Sequence, residues 1–216
     1  MAKTSIRSIL LLSIALLCGL LAVACSTTPR RPVAVVKPAP PPRVVPPPPK
    51  EEPPEVIPLE APLKDPKIVI QKTSKQLFLY SEEKLLRSYP IKIGYNPVDN
   101  KVRQGDKCTP EGKYYICIKN PQSKYHLSMG LSYPNIEDAQ RGLDSKLISK
   151  QEFDAIAQRI TKKSIPPWNT NLGGEIFIHG GGETWDWTYG CVALHNKDIE
   201  ELYKVIGVGT EVVIQK

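Results

Sequence analysis

The sequence has no dense block of Lys and Arg, and this absence argues against a nucleic-acid partner. Its formal charge of +7 is spread over 216 residues, without the basic cluster and interleaved aromatic residues that typify nucleic-acid binding. No internal repeat is visible either. Length alone allows one or two domains, and the composition along the chain favours one folded domain.

A hydrophobic run long enough to span a membrane is also missing from the N-terminal segment. The apolar run from Ile9 to Leu21 is short for a span, and Lys3 and Arg7 precede it. This pattern predicts a secretory signal over residues 1–24. The following Cys25 ends Leu21-Ala22-Val23-Ala24-Cys25, which resembles a bacterial lipobox and implies a lipid-modified N-terminal cysteine. An ordinary cleaved signal with an incidental cysteine is the alternative.

The lipobox interpretation predicts where the protein resides. The lipid on Cys25 would make the membrane a partner, and the adjacent Ser26 favours sorting to the outer membrane, facing the periplasm. We therefore expect a lipid-anchored protein of the cell envelope.

Cysteines are few, which constrains disulfide bonding. Of five cysteines, Cys18 leaves with the signal and Cys25 would carry the lipid. Three remain, so one thiol stays unpaired. Cys108 and Cys117 could close a small disulfide across the turn between them, or both could be buried free thiols. Either way, Cys191 is left as the unpaired thiol.

Proline is concentrated in one segment. Fifteen of the 22 prolines lie between Pro29 and Pro66, where they remove amide donors and fix φ. Residues 25–66 are therefore predicted to be an extended spacer of roughly 40 residues that reaches on the order of 100 Å. We interpret it as a tether for the folded domain; a docking segment for a partner domain is the alternative.

Residues 67–216 are predicted to form that domain, with a mainly β, α+β fold. β patterns span residues 68–70, 77–80, 88–93, 113–119, 175–178 and 210–215. Ser149-Lys150-Gln151-Glu152 forms a capping box that predicts a helix from Lys150 to Lys162. Shorter helices are expected over residues 136–142 and 198–206, with His195 and Asn196 capping the last one.

The candidate chemistry lies at His179 and Cys191. The β-branched run Ile176 to Ile178 leads into His179 and three glycines, and Gly190 directly precedes Cys191. A cysteine attacks acyl groups as a thiolate and needs a neighbouring base. We expect His179 to be that base, and the backbone amides of Gly190 and Cys191 to stabilise an oxyanion.

A zinc site is the other chemistry that these residues allow. Cys191, His179 and His195 are the available ligands, but paired spacing such as Cys-x-x-Cys is missing. We therefore expect no metal and no cofactor.

Four motifs in order carry a family resemblance. Lys75-Gln76-Leu77-Phe78-Leu79-Tyr80, Thr109-Pro110-Glu111-Gly112, Ile178-His179-Gly180 and Gly190-Cys191-Val192 together resemble the L,D-transpeptidase catalytic domain, also called the YkuD domain. The resemblance implies a β-sandwich-like fold with mixed sheets and a short helical insertion. It also implies action on peptidoglycan stem peptides: Cys191 would attack the L,D-peptide bond of a tetrapeptide stem and form a thioester, with His179 as base and then acid.

The nucleophile motif departs from the common family form, Ser-His-Gly-Cys followed by Ile or Val and then Arg. Tyr189 replaces the second histidine and Ala193 replaces the arginine, which could hold a substrate carboxylate. The Asp-Trp-Thr-x-Gly-Cys sequence instead resembles a subgroup of the family that includes hydrolases. We expect a substrate-binding wall made of Gly180, Trp185, Asp186, Trp187, Thr188 and Tyr189, with packing as the alternative for Asp186 and for at least one tryptophan.

Three functional hypotheses follow. The first is an L,D-transpeptidase, in which an amine acceptor resolves the thioester. The second is a hydrolase with the same Cys/His pair, either an L,D-carboxypeptidase or an amidase that releases groups linked to peptidoglycan. The third is an inactive wall-binding lipoprotein.

Overall fold

The computed structural model describes residues 58–183 and 186–216. The predicted signal, the lipidation site Cys25, most of the linker and Trp185 lie outside the described residues. No helix within the described ranges has the length and apolarity needed to cross a membrane.

Eight strands and three helices make up the described part of the chain. In chain order they are β1 (Pro66–Gln71), β2 (Gln76–Ser81), β3 (Lys84–Pro90), β4 (Gly112–Ser123), β5 (His126–Leu131), α1 (Ile136–Asp144), α2 (Lys150–Thr161), β6 (Phe177–His179), β7 (Val192–Ala193), α3 (Asn196–Val205) and β8 (Glu211–Gln215).

The opening hairpin follows from the alternation of apolar residues. Ile68 and Ile70 of β1 and Leu77 and Leu79 of β2 are fully buried, as expected for strands with one face on the core. Burial of each of these side chains stabilises the fold by roughly 1.5–3 kcal/mol. The hairpin prediction is confirmed.

The third strand differs from its prediction. β3 ends at Pro90, whereas the pattern continued to Ile93. After Pro90 the chain leaves β2 and runs beside the last part of the sheet, where the amide of Lys92 donates to the carbonyl of Ala193 at 2.8 Å. A strand that changes neighbours keeps its apolar alternation, so the pattern could not show where the pairing changes.

The eight strands form one mixed sheet in the order β3-β2-β1-β8-β4-β5-β6-β7. β8 runs parallel to β1 and antiparallel to β4, so the last strand joins the two halves. Buried residues of both halves, among them Ile68 and Ile178, share one core cluster. The mainly β fold class with a mixed sheet and a helical insertion is thereby confirmed.

The helices also follow their sequence signals. α2 spans Lys150–Thr161, and its N-cap Ser149 forms the predicted capping box with Glu152. The α3 prediction needs a correction: His195 is the N-cap, but its side chain makes no capping hydrogen bond. The Asn196 side chain instead accepts a hydrogen bond from the amide of Gly181 at 2.9 Å, so it holds the glycine turn and does not cap the helix.

Candidate active site

Strand pairing brings His179 and Cys191 to one end of the sheet. β6 and β7 are parallel neighbours, with Ile178 opposite Val192 and His179 opposite Ala193. Cys191 is the residue immediately before β7. Both side chains line one cavity of about 290 Å³, whose other lining residues are Asn120, Ser123, Lys124, Tyr125, Ser128, Glu175 and Phe177.

Cys191 is a partly exposed residue, and backbone groups hold its thiol. Its sulfur accepts from the amide of Phe177 at 3.4 Å and lies 3.6 Å from the carbonyl oxygen of Glu175, to which the S–H can donate. Burial raises the pKa of Cys191, and the negative charge of Glu175 adds to this, while the Phe177 amide and two lysines oppose it. The thiol is therefore protonated at neutral pH.

The orientation of His179 follows from its contact with Gly180. Nδ1 lies 2.6 Å from the Gly180 carbonyl oxygen, which can only accept, so Nδ1 carries the hydrogen and Nε2 keeps a free lone pair. Burial lowers the pKa of His179, and the positive charge of Lys124 lowers it further against the opposing effect of the Gly180 carbonyl. The imidazole is neutral, as a general base must be.

Aromatic rings fix the plane of this imidazole. Tyr125 stacks on His179 with a centroid distance of 4.5 Å and an interplanar angle of 22°. Trp187 packs against both rings, at 5.7 Å from His179 and 5.2 Å from Tyr125. The predicted wall residue Trp187 thus contacts the candidate base.

Glycine is required at two positions beside the pair. Gly190 has φ +124°, and a Cβ there would lie 2.6 Å from the carbonyl oxygen of Cys108. A Cβ at Gly180 would lie 2.6 Å from Asn196 Oδ1 and 2.8 Å from the Tyr125 carbonyl oxygen. Both turns therefore pack backbone against backbone, which leaves no room for a side chain.

The two amides expected to stabilise an oxyanion differ in their availability. The Gly190 amide donates to Thr188 Oγ1 at 3.2 Å, and that hydroxyl donates to the Cys191 carbonyl at 2.7 Å. Thr188 is buried and closes the turn in this way. The Cys191 amide has no acceptor among residues 58–183 and 186–216, so it is the amide left available for a substrate oxygen.

Asp186 is engaged by the protein itself. Its carboxylate pairs with Lys75 from the β1–β2 turn and accepts from the amide of Ile93 at 3.1 Å. These contacts join the loop before the cysteine to the opening hairpin. The expected contact of Asp186 with substrate stays a prediction.

Tyr189 points outward, with 67% of its surface exposed. Its ring packs edge-on against Tyr95 at 5.9 Å, and Lys107 Nζ lies over both rings. Ala193 is buried in β7. The two positions that depart from the family motif therefore place no cation in the cavity.

Several residues at the site carry no signal in the sequence. Lys124 and Tyr125 lie in the β4–β5 turn, and the pairing of Ser128 with His179 brings this turn over the imidazole. Only the register between strands distant in sequence reveals this contact.

The remaining cysteines are free thiols. Cys108 and Cys117 are buried and unpaired, and burial raises the pKa of both, to about 11 for Cys117. Of the two alternatives, the structure has free thiols. Within the described residues, no group of three or more His, Cys, Asp or Glu side chains is arranged to hold a metal ion.

Comparison with known proteins identifies a family. The L,D-transpeptidase catalytic domain family (YkuD) matches residues 65–214. No curated protein matches the chain.

Solved structures with a similar fold include three bacterial proteins. The helical cell shape determining protein Pgp2 (K307A mutant) from Campylobacter jejuni is 23% identical, with a TM-score of 0.48, over 71% of this chain and 48% of that one. Bd1075 from Bdellovibrio bacteriovorus is 22% identical, with a TM-score of 0.47, over 71% and 48%. An L,D-transpeptidase from Xylanimonas cellulosilytica is 14% identical, with a TM-score of 0.43, over 74% and 64%. The chain thus spans less than two-thirds of the length of each.

Proposed function

Because the chain belongs to the L,D-transpeptidase catalytic domain family, we propose that it modifies peptidoglycan by acyl transfer through a thioester on Cys191. The observation that carries the proposal is the shared cavity lined by the thiol of a partly exposed cysteine and an imidazole whose Nε2 lone pair is free. Nucleophilic catalysis by cysteine needs a base of this kind near the thiol.

The first half-reaction consumes the L,D-peptide bond of a tetrapeptide stem. The Cys191 thiol gives its proton to His179 Nε2, and the sulfur attacks the carbonyl carbon. The Cys191 amide faces the developing oxyanion. The C–N bond then breaks, His179 returns the proton to the leaving nitrogen, and D-alanine departs from a thioester.

The second half-reaction releases the acyl group. His179 takes a proton from an amine of a second stem, or from water, as that nucleophile attacks the thioester. The C–S bond breaks and the proton passes to sulfur, which restores the thiol. An amine gives a cross-link and water gives a tripeptide, so the acceptor decides between transpeptidase and hydrolase.

The proposal includes the N-terminal segment. A lipid on Cys25 would anchor the protein to the envelope, and the proline-rich linker would let the domain reach the wall. This part depends on the sequence pattern alone.

Purified tetrapeptide muropeptides test the reaction. We expect mass spectrometry to show loss of D-alanine together with cross-linked dimers, and Cys191→Ala to abolish both. Tripeptides without dimers would assign the chain to the hydrolase alternative. A protein that yields neither product, and that a carbapenem does not acylate, would contradict the enzyme proposal and favour a wall-binding lipoprotein.

A further inference from the structure

Lys124 is the lysine that lines the cavity of Cys191 and His179. Among the described residues of this lining it is the one permanent cation, since His179 is neutral. Its Nζ lies 4.9 Å from the centroid of Tyr125, the ring that stacks on the imidazole. The ammonium group is thus held beside the reacting pair by a cation–π contact.

The ammonium group of Lys124 is free to bind an anion. Lys72, Lys75 and Lys101 are each paired with a carboxylate. No carboxylate in the described parts of the chain lies within ion-pair distance of Lys124, whose side chain is exposed. Glu175 lines the same cavity without forming an ion pair with it.

The charge of Lys124 acts on both reacting groups. It lowers the pKa of His179 and that of Cys191, so its field reaches the place where a substrate must bind. A cation in this position attracts an anionic group of the substrate and disfavours a cationic one.

The substrate of the proposed reaction carries such a group. The leaving D-alanine ends in a carboxylate one carbon from the scissile nitrogen. The arginine that could hold a carboxylate in the common family motif is replaced by the buried Ala193. Lys124 supplies a positive charge from a different part of the fold, the turn between β4 and β5.

We propose that Lys124 is a specificity-determining residue that binds the free carboxylate of the leaving amino acid, so that the enzyme prefers stems ending in a carboxylate over stems ending in a carboxamide. This inference rests on the proposed function. It assigns recognition of the terminal carboxylate of that substrate to one side chain.

Two tetrapeptide stems that differ only in a terminal carboxylate or carboxamide test the preference. For the full chain we expect kcat/KM to be at least about tenfold higher for the carboxylate, the usual scale for one charge-assisted hydrogen bond. Lys124→Met should bring the two values within about twofold of each other, mainly by raising KM for the carboxylate. Lys124→Arg should retain most of the preference because it keeps the charge.

Lys204 provides the matched control. It is exposed on α3 and outside the cavity lining, so Lys204→Met removes the same charge and should leave the preference unchanged. The Lys124→Met variant should also have the same melting temperature as the wild type, because the lysine is exposed and makes no ion pair.

Two results would overturn the inference. One is an unchanged carboxylate preference in Lys124→Met; the other is an equal loss of rate on both substrates, which would indicate a role only in positioning Tyr125. A binding assay distinguishes failure of this inference from failure of the proposed function. Calorimetry with Cys191→Ala, with and without Lys124→Met, should show tighter binding of the carboxylate form that depends on Lys124, whether or not the wild type turns over; equal binding would refute the assignment.

Discussion

The thiol of Cys191 and the imidazole of His179 are both neutral at the pH where the pair must act. Burial raises the pKa of Cys191 and lowers that of His179, so the charged form of each group is disfavoured. In the proposed reaction the proton therefore has to move as sulfur attacks, and we expect His179 to act as a general base and not as the partner of a preformed thiolate.

Alkylation by iodoacetamide reports this protonation state. Since only the thiolate reacts, we expect the labelling rate of Cys191 to rise with a midpoint above the ordinary thiol pKa of 9.0. Peptide mass spectrometry follows the label, with Cys191→Ala showing the background from buried Cys108 and Cys117. A midpoint near or below neutrality would instead indicate a thiolate–imidazolium pair.

Replacing Gly190 should lower the stability of the protein. Gly190→Ala combines a left-handed φ with a contact of 2.6 Å to the Cys108 carbonyl, so we expect a loss of about 3 kcal/mol or more in the free energy of unfolding. Gly105→Ala is the control: φ is +78°, but nothing lies within 4 Å of the added Cβ, so strain alone costs about 1 kcal/mol. Urea denaturation measures the free energy of unfolding of both variants. Equal losses would show that the Cys108 carbonyl moves away from the added Cβ at little cost.

At the scale of elements, the loop before β7 is anchored to the other half of the sheet. Thr188 pairs with the segment after β3, where its carbonyl accepts from Tyr95 at 3.1 Å, and Asp186 pairs with Lys75. The position of Cys191 therefore depends on the hairpin of β1 and β2. The hairpin and this loop are far apart in sequence, and the ion pair joins them directly.

Removing the contacts of Asp186 should affect the acylation rate of Cys191 more than the stability of the fold. Because Lys75 is 45% exposed, its ion pair contributes at most about 1 kcal/mol, yet we expect Asp186→Ala to slow carbapenem acylation of Cys191 several-fold. Asp186→Asn keeps an acceptor for the Ile93 amide, so its acylation rate should lie between those of the wild type and Asp186→Ala. The exposed pair of Lys150 and Asp154 on α2 supplies the control, since Lys150→Met should leave acylation unchanged. Wild-type acylation in Asp186→Ala would show that the loop needs no anchor.

Across the whole molecule, β8 carries the connection between the two halves of the sheet. It lies between β1 and β4, and Val212 and Ile214 are buried in the shared core. The hairpin of β1 and β2 and the strands of the candidate site therefore share one core only when β8 is in place.

Truncating one side chain of this strand tests its contribution. Ile214→Ala leaves a cavity between the halves and should lower the free energy of unfolding by about 2–5 kcal/mol. Gln215→Ala, on the exposed neighbouring residue, should change it by less than about 0.5 kcal/mol. Thermal or urea unfolding separates the two, and a small effect of Ile214→Ala would show that the halves are held together by other contacts.

What the sequence could predict depended on how local the signal was. The alternation at Ile68 and Ile70, the capping box at Ser149 and the glycine-flanked His179 and Cys191 are local patterns. The partner of Asp186 lies 111 residues away at Lys75, and Lys124 reaches the cavity through strand register. Such contacts depend on how distant strands pair, which a local pattern does not encode.

The position of β8 also sets the order in which the chain can fold. The ribosome makes this strand after the other seven, so the sheet cannot close before nearly the whole domain has been made. A chain that stays open in this way remains thin enough to be threaded through a narrow pore. Late closure of the sheet would therefore suit a protein whose N-terminal sequence predicts export.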